Sequence, residues 1–132
     1  MSEGMIAKAK TNATGLNNVS FYRASAEELP LESNYFNSII CTFSFHHYLN
    51  PGKALSEAYR VLKPKGKFYI LDGTTDDPIT KWFDLLAKKM KKTHVKQYST
   101  VEFKQMFSAA GFKYIENKTI LIYPIKVHIG EK

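Results

Sequence analysis

Two adjacent histidines, His46 and His47, are the residues of this sequence whose chemistry is easiest to name. Histidine gains and loses a proton near neutral pH, so it can act as a general base or bind a metal ion. The side chains of neighbouring residues on an extended segment point in opposite directions, which disfavours joint action by the pair. A role for either residue in substrate binding stays open, and His47 is the candidate for it.

Metal binding and thiol chemistry have little support in the sequence. There are only two other histidines, at 94 and 128, and one cysteine, so no ligand spacing emerges and we expect no metal site. Cys41 lies inside an apolar run without a basic neighbour, which is typical of a small buried side chain and not of a nucleophile. A single cysteine also excludes an internal disulfide and favours a reducing compartment, so we expect a cytoplasmic protein.

Basic residues outnumber acidic ones by 19 to 12, which gives a formal net charge of +7. This charge favours loose association with polyanions. The densest cluster consists of Lys88, Lys89, Lys91, Lys92 and Lys96. Such a run on an amphipathic helix is most often a solvated face, so nucleic acid is not an expected partner. A nucleic-acid surface, or an anionic-membrane patch beside Trp82 and Phe83, is the alternative.

The composition indicates a single domain spanning residues 1–132. With 132 residues, of which 44% are hydrophobic, the chain can bury one core. No apolar stretch reaches the length of a signal-peptide core or a membrane span, so neither export nor membrane insertion is expected. The sequence shows neither a phosphate-binding loop with Lys-Ser/Thr nor a serine nucleophile elbow, so nothing favours a nucleotide triphosphatase or a hydrolase.

Strands and helices alternate along the sequence. Apolar residues at helical spacing predict helices over residues 3–13, after Pro51 and after Pro78. A capping box formed by Ser99 and Glu102 predicts a fourth helix, which Gly111 closes. Runs of β-forming residues predict five strands, over Asn18–Arg23, Phe36–Thr42, Lys67–Leu71, Phe112–Asn117 and Thr119–Val127.

This alternation predicts an α/β fold, with a mostly parallel sheet, helices on both faces and a C-terminal antiparallel hairpin. In such sheets, ligands bind outside the carboxyl ends of the strands. The segments expected at that edge are Ala24–Leu31, Thr42–Leu49 and Asp72–Asp77.

Three segments carry a resemblance to a known family: SAEELPLESNYFNSIICTFSFHHY, ALSEAYRVLKPKGKFYILD and YSTVEFKQMFSAAGF. In this order they resemble the class I methyltransferases that depend on S-adenosylmethionine (SAM), in particular the type 11 group that includes the quinone-biosynthesis and sterol methylases. The resemblance implies a Rossmann-like sheet of seven strands, with SAM lying across the tips of the first four. The sequence departs from the family at Lys65, where the family prefers glycine in a turn.

The resemblance also implies that this sequence starts inside the family's domain. Ser2, Glu3, Gly4 and Met5 fit a Ser-x-x-Met pattern that opens the helix after the ribose-binding acid. On this interpretation the glycine-rich cofactor loop and the first two family strands are missing, and the chain is a partial, truncated methyltransferase domain. We therefore expect weak or absent SAM binding by the chain alone.

Part of the cofactor site can be carried over by position. Met5 resembles the residue that packs on the adenine or ribose, and Ala26 the one whose backbone amide meets the adenine edge. Ser25 stands where the family commonly has an aspartate for the adenine amino group. The strand end that passes beside the cofactor is occupied by Cys41, Thr42 and Phe43. No catalytic residue is implied, and we interpret Arg60 as a structural partner of a carboxylate.

Two functions stay open. The first is SAM-dependent methyl transfer to a small-molecule acceptor. The resemblance implies that residues 43–50 and 73–98 select this acceptor. The second is a non-catalytic remnant that serves as a binding or oligomerisation module.

Because the missing strands belong in the middle of the family's sheet, either Val19–Arg23 pairs directly with Phe36–Thr42 or another copy of the chain supplies partners. We expect a homodimer or a swapped assembly.

Overall fold

The computed structural model of the protein describes residues 3–82, 85, 96–119 and 124–132. Its helices are α1 (Glu3–Asn12), α2 (Pro51–Val61) and α3 (Thr100–Ala109), and a short 3-10 helix spans Phe45–His47. Residues 78–82 and 85 are also helical, as predicted for the segment after Pro78, and the rest of that segment lies outside the described residues. The strands are β1 (Phe36–Thr42), β2 (Leu62–Gly73), β3 (Lys113–Thr119) and β4 (Ile125–Glu131).

The four strands form one sheet in the order β1-β2-β4-β3. β1 and β2 are parallel, whereas β4 is antiparallel to both of its neighbours. The α/β class and the C-terminal antiparallel hairpin are thus confirmed. Of the predicted strand Thr119–Val127, Thr119 instead ends β3, Ile125 begins β4, and residues 120–123 lie outside the described part.

The prediction of a strand over Asn18–Arg23 is wrong. This segment has no strand structure, and within the described chain β1 is an edge strand that pairs only with β2. Direct pairing of Val19–Arg23 with β1 is therefore also wrong. An extended segment becomes a strand only where a neighbour satisfies its N–H and C=O groups, and no described segment does so here. As a result, the described sheet has a single parallel pair.

The passage from α2 to β2 is tighter than the sequence predicts. β2 begins at Leu62, directly after α2, and Leu62 already pairs with Phe36. Lys65 adopts the left-handed conformation, with φ of 66°, which explains why glycine is preferred there in the family it resembles. A Cβ atom on Gly66 would lie 2.8 Å from the carbonyl oxygen of Lys63. The backbone is thus closely packed at this turn.

Helices α2 and α3 cover the same face of the sheet and form the core with it. The capping box of α3 is confirmed, since Ser99 Oγ accepts from the amide of Glu102 and Glu102 Oε2 accepts from the amide of Ser99. Gly111 follows the helix with φ of 92°, as expected of a residue that ends it. The central buried cluster contains Cys41, Phe45, Leu55, Ala58, Leu62, Phe68, Ile70, Tyr98, Phe103, Phe107 and Phe112. This core fixes the carboxyl ends of β1 and β2 side by side.

Candidate functional site

The carboxyl end of β1 turns sharply beside β2. Thr42 is in register with Leu71, and the amide of Phe43 donates to the carbonyl of Leu71 at 2.9 Å. Phe43 has φ of 47°, a left-handed conformation that costs a non-glycine residue on the order of 1–3 kcal/mol. This turn directs the chain into the 3-10 helix, so the residues after β1 stay at the sheet edge.

A pocket of about 430 Å³ lies between β1, α2 and the loop of residues 24–31. It brings together three of the residues that the sequence assigns to a cofactor, namely Ala26, Cys41 and Thr42. The remaining lining residues are Leu29, Ile39, Ile40, Ser44, Tyr48, Ala54, Ala58 and Phe68. The walls are mainly apolar, and hydroxyl groups from Thr42, Ser44 and Tyr48 are available to orient a bound ring system.

Arg60 and Glu57 hold the loop that forms one wall of this pocket. Arg60 donates to Glu57 at 2.8 Å and to the carbonyls of Leu31 and Leu29 at 2.8 and 3.0 Å. Glu57 also accepts from the amide of Leu29 at 2.9 Å. The hydrogen bonds from Arg60, and secondly the bond from Leu29, lower the pKa of Glu57 to about 2. Arg60 thus has the structural role expected from the sequence.

A small polar cluster lies at the end of β1. Cys41 Sγ is 3.2 Å from Ser44 Oγ and 3.5 Å from Tyr48 Oη. Burial, followed by the contact with Cys41, raises the pKa of Tyr48 above its usual value, so its hydroxyl remains neutral and can both donate and accept. Cys41 is buried, as expected.

The two histidines are closer together than the sequence predicts. Their ring centroids are 3.9 Å apart, because this segment is a 3-10 helix and not an extended chain. The expectation that the side chains point in opposite directions is therefore wrong. His46 Nδ1 lies 2.8 Å from Oδ1 of Asp72, a side chain that is only 2% exposed, and the amide of His46 donates to the second carboxylate oxygen at 3.1 Å.

The sequence does not single out Asp72 as a site residue, although its segment is expected at the ligand-binding edge. The available signal was an acidic residue directly after the apolar run of β2, where a buried carboxylate requires several donors. The structure supplies them from His46 and from the amide of Gly73, at 2.8 Å. The sequence does not indicate Tyr48 either, since an aromatic residue after two histidines gives no specific signal.

The other predicted site residues lie apart from the pocket lining. Met5 is on α1 and 62% exposed, and Phe43 is 52% exposed. Ser25 is also exposed, and its Oγ accepts from the amide of Glu27 at 3.2 Å. His47 is exposed beside His46. The cofactor and substrate roles of these residues stay predictions.

Other predicted features lie largely outside the described residues. Among the lysines of the basic cluster, only Lys96 is described, and its Nζ pairs with Glu102 at 2.5 Å. Trp82 is 59% exposed, and Phe83 lies outside the described part. No group of three His, Cys, Asp or Glu side chains suited to a metal ion occurs among the described residues. Of the helices in the described part, none has the length and apolar character to cross a membrane.

The sequence and the structure match known methyltransferases. Residues 1–70 match the family model described as methyltransferase domain. An uncharacterized methyltransferase of Bacillus subtilis, YcgJ, is 33% identical over 111 residues, which cover 83% of this chain and 44% of YcgJ. The ubiquinone/menaquinone biosynthesis C-methyltransferase UbiE of Psychromonas ingrahamii is 37% identical over 85 residues, which cover 62% of this chain and 34% of UbiE.

Solved structures show the same fold. The crystal structure of Bacillus subtilis YcgJ has a TM-score of 0.78 at 31% identity, covering 90% of this chain and 53% of that one. A SAM-dependent methyltransferase from Thermotoga maritima, described as a possible histamine N-methyltransferase, has a TM-score of 0.82 at 22% identity, covering 99% of this chain and 70% of that one. The chain spans about half the length of YcgJ or less. Together, the family match, the aligned relatives and the shared fold show that this chain belongs to the SAM-dependent methyltransferase family.

Proposed function

We propose that this chain forms part of a SAM-dependent methyltransferase that acts on a small-molecule acceptor. One observation carries the proposal, namely that the pocket beside β1 joins Ala26 of one loop with Cys41 and Thr42 of the strand end. These residues come from separate parts of the sequence and meet at the sheet edge where α/β proteins bind ligands. When bound, SAM supplies a methyl group activated by a sulfonium.

The pocket is suited to the adenine end of the cofactor. Ala26 and Leu29 offer apolar contact to a flat ring, and the loop that carries them is held by Arg60. The described lining contains no carboxylate, so a partner for the ribose hydroxyls has to come from another segment. Hydrogen bonds to charged groups contribute about 1.5–3 kcal/mol each, and tenfold in affinity corresponds to about 1.4 kcal/mol. Without about three such contacts, the chain alone should bind SAM several powers of ten more weakly than a complete site.

Calorimetric titration of the 132-residue chain with SAM tests this proposal. We expect a dissociation constant on the order of millimolar, which follows from the missing hydrogen bonds. Ala26→Phe should abolish binding because the added ring fills the pocket, whereas Ala109→Phe, at an exposed position on α3, should leave it unchanged. If Ala26→Phe and the unmodified chain bind SAM equally, the pocket is not the adenine site.

The relatives suggest the chemistry of the acceptor. The UbiE relatives are named for C-methylation in ubiquinone and menaquinone biosynthesis, so we propose a ring of the quinol type as the acceptor.

A cytoplasmic location also remains our proposal and is supported by the single cysteine.

We also propose a second function, as a binding or oligomerisation module, which is favoured because β1 pairs only with β2 among the described residues. Ile40 in this edge strand is 71% exposed, and the neighbouring Tyr35 and Phe43 are 61% and 52% exposed. An edge strand with exposed apolar side chains is a template for pairing with another chain. We propose that a second copy covers this edge, in a homodimer or by exchange of segments.

Light scattering at micromolar concentration tests the assembly. We expect a dimer for the unmodified chain and a shift to monomer for Ile40→Lys, because a charged edge strand resists pairing. Val101→Lys is the matched control, since Val101 is 64% exposed on α3, away from the edge. A monodisperse monomer for the unmodified chain would contradict the assembly without affecting the cofactor proposal.

A further inference from the structure

Two hydroxyl groups lie at the ends of the 3-10 helix and line the pocket beside β1. Ser44 precedes this helix, and its carbonyl accepts from the amide of His47 at 3.0 Å. Tyr48 follows the helix, and its amide donates to the carbonyl of Phe45 at 3.1 Å. Phe45 is fully buried, and its ring centroid lies 5.3 Å from that of Tyr48. The core therefore holds both hydroxyl-bearing residues at the pocket wall.

These hydroxyls retain a hydrogen-bonding capacity that the protein does not use. With the thiol of Cys41 they form the polar cluster at the end of β1, in which Sγ is 3.2 Å from Ser44 Oγ and 3.5 Å from Tyr48 Oη. The cluster contains three hydrogens, whereas each of the two hydroxyl oxygens can accept two hydrogen bonds. Three hydrogens cannot fill four acceptor positions, and no further donor to either oxygen occurs in the described part of the chain. At least one acceptor position therefore stays open to a ligand.

The open position is complementary to one edge of an adenine ring. That edge carries an exocyclic amino group, which donates hydrogen bonds, beside a ring nitrogen that accepts them. A hydroxyl can accept from the amino group and donate to the nitrogen, whereas an ionised carboxylate can only accept. Burial, followed by the contact with Cys41, raises the pKa of Tyr48, so its hydroxyl keeps the hydrogen that it would donate.

We propose that Ser44 and Tyr48 bind the exocyclic amino group of the adenine ring, and that they select adenosine over purines without this group. The inference rests on the proposed function and gives two further residues of the pocket a stated role. Ser25, the residue that the resemblance associates with the amino group, does not line the pocket. It is exposed, and its Oγ accepts from the amide of Glu27 at 3.2 Å. The structure therefore favours Ser44 and Tyr48 over Ser25 for this contact.

NMR titration of the full 132-residue chain with nucleosides tests the proposal without SAM. Purine riboside is the matched probe for adenosine, because it is the same nucleoside without the amino group. We expect both nucleosides to shift the backbone amide resonances of Ala26 and Thr42, which line the pocket. Adenosine should bind about threefold to tenfold more tightly, as expected for one neutral hydrogen bond.

Two substitutions remove the hydroxyls and keep the remaining side chains. In the double variant Ser44→Ala and Tyr48→Phe, the ratio of the two affinities should fall to about 1, because the amino group no longer has a partner. The affinity for purine riboside should stay the same, whereas a merely structural role would weaken the binding of both nucleosides. Ser38→Ala is the matched control, since Ser38 is exposed on β1 and does not line the pocket. It should keep the ratio, and so should Ser25→Ala.

The possible outcomes separate this inference from the proposed function. An unchanged ratio in the double variant, or a lower ratio in Ser25→Ala, would overturn the role of Ser44 and Tyr48 alone. Equal affinities of the unmodified chain for adenosine and purine riboside would do the same. If adenosine shifts the resonance of neither Ala26 nor Thr42, the pocket is not an adenine site, and the inference fails together with the proposed function.

Discussion

Acidification should destabilise this fold through His128, a residue of β4 that is fully buried. Its Nδ1 lies 2.9 Å from Tyr114 Oη, and its ring stacks on Phe103 with centroids 3.9 Å apart. Nε2 is buried without a hydrogen-bond partner in the described structure. Burial, the largest influence, lowers the pKa of His128 from 6.5 to about 4. The folded protein therefore holds this histidine neutral in a range where the unfolded chain protonates it.

The sign and size of the effect follow from proton linkage. Above pH 6.5 neither state carries the proton, so the stability due to the neutral ring is fully present. Between pH 6.5 and about 4 only the unfolded chain binds it, and each pH unit costs about 1.4 kcal/mol. The total loss is roughly 3 kcal/mol. Below about pH 4 both states are protonated, and His128 contributes no further loss.

Urea unfolding at pH 7, 6, 5 and 4.5 measures this dependence. We expect the free energy of unfolding to fall by about 1.4 kcal/mol per pH unit through His128 below pH 6.5. His128→Gln keeps a polar group near Tyr114 and does not titrate. The pH slope of its free energy of unfolding should therefore be smaller by about 1.4 kcal/mol per pH unit. Asp76 adds little in this range, because its pKa lies below pH 4.5 in both states: it is 3.8 in the unfolded chain, and hydrogen bonds from Lys126 and Thr100 outweigh burial and lower it to about 2 in the folded protein. Equal pH slopes for His128→Gln and the unmodified chain would refute the reasoning.

Two further predictions concern the turn between α2 and β2. Gly66→Ala should lower the free energy of unfolding by about 1–3 kcal/mol, because the added Cβ would lie 2.8 Å from a backbone oxygen. Gly52→Ala, whose nearest contact would be at 3.6 Å, is the control and should cost less than about 0.5 kcal/mol in the same urea experiment. Lys65→Gly should raise the melting temperature, since Lys65 has φ of 66° and glycine adopts this conformation without strain. Lys67→Gly, within β2, should lower the melting temperature. A lower melting temperature for Lys65→Gly would contradict the strain at this turn.

Elements with a strong local signal were predictable. The bounds of β1 agree with the apolar run of Phe36–Thr42, and the capping box fixes the start of α3 through bonds between residues three apart. The apolar stripe of α2 is buried as its spacing indicates. In each case the interaction that stabilises the element is encoded within one turn or one strand, so the sequence contains it directly.

Elements that depend on a distant partner were not predictable in this way. Asn18–Arg23 has the composition of a strand, but no described neighbour pairs with it. The close approach of the His46 and His47 rings depends on a 3-10 helix, which residue alternation does not reveal. These outcomes depend on hydrogen bonds between backbone segments, and their partners are selected only when the chain folds.

The sequence by itself determined the family and the α/β class, because these follow from ordered motifs and local periodicity, and it predicts that ligands bind at the carboxyl ends of the strands. Only the tertiary structure brought Ala26 to Cys41 in one pocket and placed His46 on the carboxylate of Asp72. The physical reason is the parallel pairing of β1 and β2, which places the carboxyl ends of the two strands side by side. Residues that are distant in the chain thus become neighbours at the edge where we propose that the chemistry takes place.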